Sequence, residues 1–194
     1  MLVRKKQLYP HNELKYYKKH ESVKDPLFAT DESACFDIHA HFSESITVGV
    51  PSPKVVVYTM ENKKEERDCT MKAKGNSSFA VGVDILPAER ILVSTGLIFD
   101  IPENHSVRLH TRSSVSLKRG LIMPNGEGII DSDYYHEVFV MLYNASADTV
   151  RIEHGERICQ GELVSRLSYS IEETPILPEQ RTNRVGGFGS TGVK

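Results

Sequence analysis

Ile91-Leu92-Val93-Ser94-Thr95-Gly96-Leu97-Ile98-Phe99-Asp100-Ile101 is rich in β-branched and apolar residues, and Pro102-Glu103-Asn104 then breaks the run with turn-forming residue types. Ser106 to Thr111 alternates, and Val138-Phe139-Val140-Met141-Leu142-Tyr143 is a bulky run suited to a strand buried on both faces. Further turn signals stand at Pro124-Asn125-Gly126 and His154-Gly155-Glu156. Strands punctuated at these intervals belong to a β-sandwich or barrel. One short helix is expected, Ser113 to Lys118, with hydroxyls to cap its first N–H groups and Gly120 just past its end. The chain therefore reads as all-β with a single helix.

Its 194 residues suffice for one domain with a real core and are too few for two comfortable ones. Lys and Arg number 24 against 26 Asp and Glu, a net charge of −2, so there is no general attraction to nucleic acid or to an acidic membrane. Any phosphate binding must be local. The cysteines Cys35, Cys69 and Cys159 are odd in number and widely spaced, which suggests neither a disulfide framework nor a zinc ribbon and suits a reducing cytoplasm. Met1-Leu2-Val3-Arg4-Lys5-Lys6 has no apolar run behind its charges, and no stretch approaches membrane-spanning length.

Between Pro51 and Phe79 the character changes. Val55-Val56-Val57-Tyr58 looks like a strand, Glu61 to Asp68 is a dense charge run, and Gly75-Asn76-Ser77-Ser78 is a loop. Residues 51–79 are expected to form an exposed hairpin inserted into the domain, either a solvated loop without a role or a surface for a protein partner.

Five clusters carry chemistry. The terminal Arg184-Val185-Gly186-Gly187-Phe188-Gly189-Ser190-Thr191-Gly192 offers uncovered backbone N–H groups, two hydroxyls, a cation and a ring on which a base can stack, the make-up either of a disordered polar tail or of a mobile lid (182–194) that closes over something negatively charged. It is not a P-loop, because Val193 stands where the lysine should be. Arg112-Ser113-Ser114 sits where a strand meets the helix, with cation, hydroxyls and helix-start N–H groups placed to bind phosphate together. In Asp131-Ser132-Asp133-Tyr134, carboxylates and a phenol are expected at the start of a buried strand, able to activate water or hold magnesium, and residue type alone does not choose between Asp131 and Asp133. Gln160 and Asp37 are polar residues set among apolar neighbours in Ile158-Cys159-Gln160 and Phe36-Asp37-Ile38.

In order, these clusters resemble the five motifs of the trimeric dUTP pyrophosphatases, or dUTPases. The resemblance runs from about Pro26 to Gly192, interrupted at 51–79, and is most specific in Gly128-Ile129-Ile130-Asp131-Ser132-Asp133-Tyr134 and in Gly186 to Gly192. Ser33-Ala34-Cys35-Phe36-Asp37 and Gln160-Gly161-Glu162-Leu163 look most like versions carried by bacterial viruses, which would place the protein in a host's cytoplasm. The resemblance implies a jelly-roll or distorted barrel, a homotrimer with each site drawn from all three chains, and hydrolysis of dUTP to dUMP and pyrophosphate. It makes Asp131 the base that activates water. It gives uracil to Asn125 and the backbone of Ile129 and Ile130, and deoxyribose to Tyr134. The phosphates fall to Arg112, Ser113, Ser114 and Gln160, and magnesium to Asp37 through water. Phe188 would stack on uracil, while Arg184, Gly189, Ser190 and Thr191 would clamp the terminal phosphates. Two departures stand out: Arg184 lies four positions before Phe188 where the family commonly has five, and Ser114 replaces a glycine.

Three other readings compete. A dCTP deaminase, including bifunctional forms, shares Arg-Ser-Ser but needs a glutamate beside the pyrimidine amino group, and Glu127 and Glu137 are the available ones. A nucleotide-responsive binding module would act through 51–79. A metal site would use His39 and His41, which share one strand face, near Cys35.

Overall fold

The strand-forming runs pair antiparallel throughout. A computed structural model describes residues 13–42, 46, 47, 49–74, 78–183 and 186. In chain order the strands are β1 (Lys15–Lys18), β2 (Leu27–Phe28), β3 (Phe36–His39), β4 (Lys54–Tyr58), β5 (Lys64–Asp68), β6 (Thr70–Lys74), β7 (Ser78–Ile85), β8 (Arg90–Ser94), β9 (Leu97–Asp100), β10 (His105–Thr111), β11 (Leu121–Ile122), β12 (Gly128–Asp131), β13 (Phe139–Asn144), β14 (Val150–Glu153) and β15 (Arg157–Ser165); the helix α1 (Ser113–Arg119) lies between β10 and β11. Two five-stranded sheets, β12-β10-β15-β3-β2 and β11-β13-β8-β4-β5, are joined by β14-β7-β6 and the pair β1-β9. Their inward residues meet in one core, where Ile38, Val57, Ile85, Val93, Val107 and Leu142 are fully covered. Each such side chain stabilises the fold by about 1.5–3 kcal/mol relative to exposure. This is the expected all-β, jelly-roll-like architecture, and none of the sheets closes into a barrel among the described residues.

Particular elements depart from expectation. The run Ile91–Ile101 is two strands in different sheets, because Gly96 takes φ 68° and turns the chain. A Cβ there would lie 2.4 Å from Val23, so the turn is also closely covered. β13 is not buried on both faces: Val140 and Leu142 are inside, whereas Phe139 and Met141 stay 40% and 39% exposed. Met141 lies beside Leu92, and Leu92 beside Val56, so one sheet presents an apolar outer face that stays partly exposed among the described residues. The α1 hydroxyls do not cap it; Arg112 is the N-cap residue, without a side-chain cap bond, and its carbonyl accepts the Val115 and Ser116 N–H groups. At the other end Gly120, φ 65°, closes the helix one residue later than expected.

The 51–79 segment is not simply an exposed hairpin. β4 pairs with β8 and buries Val55 and Val57, and Cys69 is also buried. What projects is the turn and β5, an edge strand carrying Lys64, Glu65, Glu66 and Asp68. β5 is fastened to the body by Arg67, whose two terminal nitrogens donate to the Glu89 carboxylate at 2.6 and 2.7 Å. Glu89 is 3% exposed and also accepts the Leu86 N–H at 2.8 Å. Burial alone would raise the Glu89 carboxyl, but the bonds from Arg67 and Leu86 hold it below the usual glutamate range.

Removing one partner of this pair strands the other charge. Glu89→Ala is expected to lower the unfolding free energy by about 3 kcal/mol in denaturant titrations, and joint replacement of Arg67 and Glu89 by Met by much less. Because the folded-state value is depressed, the carboxylate's contribution is complete above the ordinary glutamate value and fades as pH falls through the lower folded value. The gap between wild type and Glu89→Ala should therefore shrink on acidification below about pH 4.

Candidate active site

β10 lies between β12 and β15, and β15 between β10 and β3. Asp131 stands opposite Ser106, Ile129 opposite Arg108, and Gln160 opposite both His110 and Asp37. Side chains alternate along a strand, so these residues project from one face of the sheet while Val107, Leu109, Phe36 and Ile38 project from the other into the core. The clusters read from the sequence thus share a surface, but they divide into two groups along it.

The first group gathers at the Thr111 end of β10. Asp37 is 3% exposed, and its two oxygens are taken by Arg112 Nε at 2.9 Å and Arg157 Nη1 at 3.0 Å. Using Nε for Asp37 fixes the plane of the Arg112 guanidinium, whose Nη1 lies 3.5 Å from the Arg157 carbonyl that accepts from it. Ser113 and Ser114 open α1 beside it, and Gln160 is next to Asp37 across the strands.

The second group lies at the Ser106 end. β12 pairs only with β10 among the described residues, so the other edge of its backbone at Ile129 and Ile130 is open, and Ile129 is 53% exposed. Asp131 ends this strand in an exposed position, and its carbonyl accepts the Tyr134 N–H at 3.1 Å. The Tyr134 hydroxyl donates to the Glu137 carbonyl at 3.0 Å, and its ring meets His136 edge-on with centroids 5.6 Å apart. Asn125 is exposed in the β11–β12 turn, where Gly126 takes φ 74°. Six residues of strand separate Ser106 from Arg112, about 20 Å at the usual rise, so one chain does not bring Asp131 and Arg112 around one phosphate chain.

Arg184, Phe188, Gly189, Ser190 and Thr191 lie outside the described residues, as does most of the expected 182–194 lid; 182, 183 and 186 are exposed. Residues 166–183 form no helix or strand and leave Leu167, Tyr169, Ile171, Ile176 and Leu177 75–90% exposed.

Sequence reasoning missed Arg157, the second cation on Asp37, although a buried carboxylate calls for a full set of partners. It also missed what Glu127 and Glu137 do. Arg108 donates to Glu127 at 2.9 Å, and Glu137 accepts from Lys19 Nζ at 2.7 Å, from the Gly96 N–H and from the Ser94 hydroxyl. The histidine reading fails: His41 packs against His20 and His154 and sits 3.1 Å from the Ser22 hydroxyl, and burial holds His39 and His41 below the usual imidazole range. No group of His, Cys, Asp and Glu among the described residues is arranged to hold a metal. Burial pushes the thiols of Cys35 and Cys159 up, and that of Cys69 to about 11, so none supplies a thiolate near neutrality.

Arg112 and Arg157 each take one site on the Asp37 carboxylate, so for the expected role of holding magnesium through water one further acceptor site remains on each oxygen. The same carboxylate anchors both arginines.

The dUTPase family model matches residues 77–192. A deoxyuridine 5'-triphosphate nucleotidohydrolase from Hydrogenobaculum sp. is 42% identical over 127 residues, 64% of this chain and 88% of the relative. That of Brucella melitensis biotype 2 is 44% identical over 109 residues, 56% of this chain and 69% of the relative. Among solved structures, a Staphylococcus bacteriophage 80alpha dUTPase mutant with dUpNHpp superposes with a TM-score of 0.65 over 94% of this chain and 99% of that one, at 20% identity. A dUTPase mutant from phage phi11 of S. aureus, described as coordinating a structural Mg(II) ion, reaches 0.61 over 87% and 100%, at 16% identity. These two show a shared fold. No helix among the described residues is long and apolar enough to cross a membrane.

If Asp37 serves the arginines and no resident dication is built into the chain, dialysis against EDTA should leave the melting temperature of the free protein unchanged within about 1 °C. A fall of several degrees, restored by magnesium, would reveal a structural ion.

Proposed function

Because the chain belongs to the dUTPase family, we propose that it hydrolyses dUTP to dUMP and pyrophosphate by attack of water on the α-phosphorus. The observation that carries this reading is Gly128-Ile129-Ile130-Asp131-Ser132-Asp133-Tyr134 on an open sheet edge, with an exposed carboxylate at the strand end. Asp131 takes a proton from water as the water oxygen bonds to phosphorus. The α–β bridging bond breaks, and its electron pair leaves with pyrophosphate. Arg112, held through Nε by Asp37, presents its remaining donors to the phosphates with Ser113, Ser114 and Gln160. Magnesium bound with the triphosphate would supply charge neutralisation there, with Asp37 as the residue that would hold it through water.

Uracil is read by Asn125 and by the free backbone edge at Ile129 and Ile130. A narrow slot there rejects thymine by its methyl group and cytosine by mismatched donors. Tyr134 lies under the deoxyribose. Arg184, Phe188, Gly189, Ser190 and Thr191 close the site.

A homotrimer is the assembly that reconciles the two groups, since Asp131 of one copy and Arg112 of another can face one nucleotide where those of a single chain cannot. The uncovered apolar surface supports it: Phe139 and Met141 on β13, and the side chains of 166–183, need a partner. The deaminase reading loses its candidates, because Glu127 is engaged by Arg108 and Glu137 is locked among three donors. A second role, a protein partner for residues 51–79, is favoured by the rigid presentation of the charged edge β5 through Arg67 and Glu89. Its test is substitution of Lys64, Glu65 and Glu66, because deleting 54–74 would take core strand β4 with it.

Pyrophosphate release assayed with dUTP, UTP, dCTP and dTTP should be confined to dUTP. Asp131→Asn is expected to cut kcat by at least about 10³-fold while nucleotide binding persists, measured by calorimetry with a non-hydrolysable analogue; substantial turnover would mean another base. Truncation before Val185 should lower kcat/KM at least about 100-fold without changing the melting transition or the oligomeric mass. Full activity in that truncation would remove the lid from the mechanism.

A further inference from the structure

We infer that Glu137 is a positioning residue: clamped by Ser94, Gly96 and Lys19, it sets the place of Tyr134 and thereby the enzyme's preference for deoxyribose over ribose. The inference rests on the dUTP reading above.

Tyr134 belongs to a loop with little packing of its own. From Asp133 to His136 every residue is exposed, and the Tyr134 ring is itself 38% exposed. What holds the ring is its hydroxyl, bonded at 3.0 Å to the main-chain carbonyl of Glu137, and the edge contact with His136. The ring therefore sits wherever that carbonyl is placed.

Placement of the carbonyl is over-determined. The Glu137 side chain is 13% exposed; Oε1 accepts the Ser94 hydroxyl and, at 3.1 Å, the Gly96 N–H, while Oε2 accepts Lys19 Nζ at 2.7 Å. Lys19 is tied down in turn by its own N–H, which donates to the Gly96 carbonyl at 2.9 Å. The next residue continues the clamp: the Val138 N–H donates to the Leu97 carbonyl at 2.8 Å, and the Val138 carbonyl accepts the Thr95 hydroxyl at 2.6 Å. A continuous path thus runs from the Ser94–Gly96 turn through Glu137 to Tyr134, and through the Tyr134 N–H to the Asp131 carbonyl. Burial alone would raise the Glu137 carboxyl, yet the bonds from Lys19, Ser94 and Gly96 hold it below the usual range, so it is charged when the clamp is closed. Because Tyr134 bonds to the backbone of Glu137, a change of side chain keeps the acceptor atom and removes only its placement. That is the signature of a residue acting through another.

Steady-state kinetics of the full-length protein on dUTP and UTP, with melting curves, test this. Glu137→Ala is expected to narrow the dUTP-over-UTP ratio of kcat/KM by about tenfold, and Glu137→Gln, which keeps an acceptor oxygen for Ser94 and Gly96, to hold it within about twofold. In a Tyr134→Phe background, where the link is already cut, Glu137→Ala should change the ratio by less than about twofold. An equal fall for both nucleotides at unchanged ratio, or full additivity with Tyr134→Phe, would overturn the inference. Should Glu137→Ala fail to fold, Lys19→Met removes one donor and is expected to narrow the ratio by about two- to threefold; an unchanged ratio there would overturn it equally. Wild type inert toward dUTP would instead bring down the hydrolase reading itself.

Discussion

β10 pairs through Ser106–Leu109 with β12 on one side and through its whole length with β15 on the other, and that double pairing dictates where Ile129, Asp131 and Gln160 can be. Its antiparallel register seats Asp131 against Ser106 at one end and brings Gln160 and Asp37 abreast of His110 near the other. A strand has almost no freedom to shorten, because each residue adds about 3.3 Å and slipping by one turns every side chain to the opposite face. The base-reading edge and the phosphate-binding corner are therefore held apart within a chain. Copies arranged around an axis can bring together what one sheet keeps separate.

The same rigidity explains the division of labour among charged residues. Asp37 is buried, and a lone buried carboxylate would be costly, so Arg112 and Arg157 converge on it. Having satisfied Asp37, Arg112 is no longer a free side chain on a surface but a preset donor, and phosphate binding loses less side-chain entropy than it would with a mobile arginine. Glu89 does comparable work for the 51–79 segment, and Glu137 for the loop after β12. In each case a carboxylate with little exposure converts a flexible neighbour into a fixed one.

Much of this was legible in one dimension. β-branched runs and the glycines at 126 and 155, both at positive φ, announced strands and turns because those preferences are local, whereas the turn at Gly96 lay hidden inside an apolar run. The single helix began where expected and ended one residue late at Gly120. Where local reading went astray, distant contacts were responsible. Val138–Tyr143 is apolar on both faces, which reads as burial on both faces, yet among the described residues only one face meets a core. Val55 and Val57 belong to the central sheet although a dense charge run follows them, because pairing with β8 outweighs the character of the next strand. The arginine partners of Asp37 stayed hidden for the same reason: no spacing rule connects Asp37 to Arg112 and Arg157, which come from distant parts of the chain.

Residue order by itself determined the strand-rich class, the turns, the family motifs and the identity of the groups able to bind a base, a sugar and phosphates, since these follow from side-chain chemistry and short-range backbone preference. Only the tertiary structure decided which of those groups are neighbours, which carboxylates are free and which are occupied by cations, and that the proposed halves of the site stand about 20 Å apart on one sheet. Such relations depend on strand register and burial between residues far apart in sequence, and a linear pattern does not encode them locally.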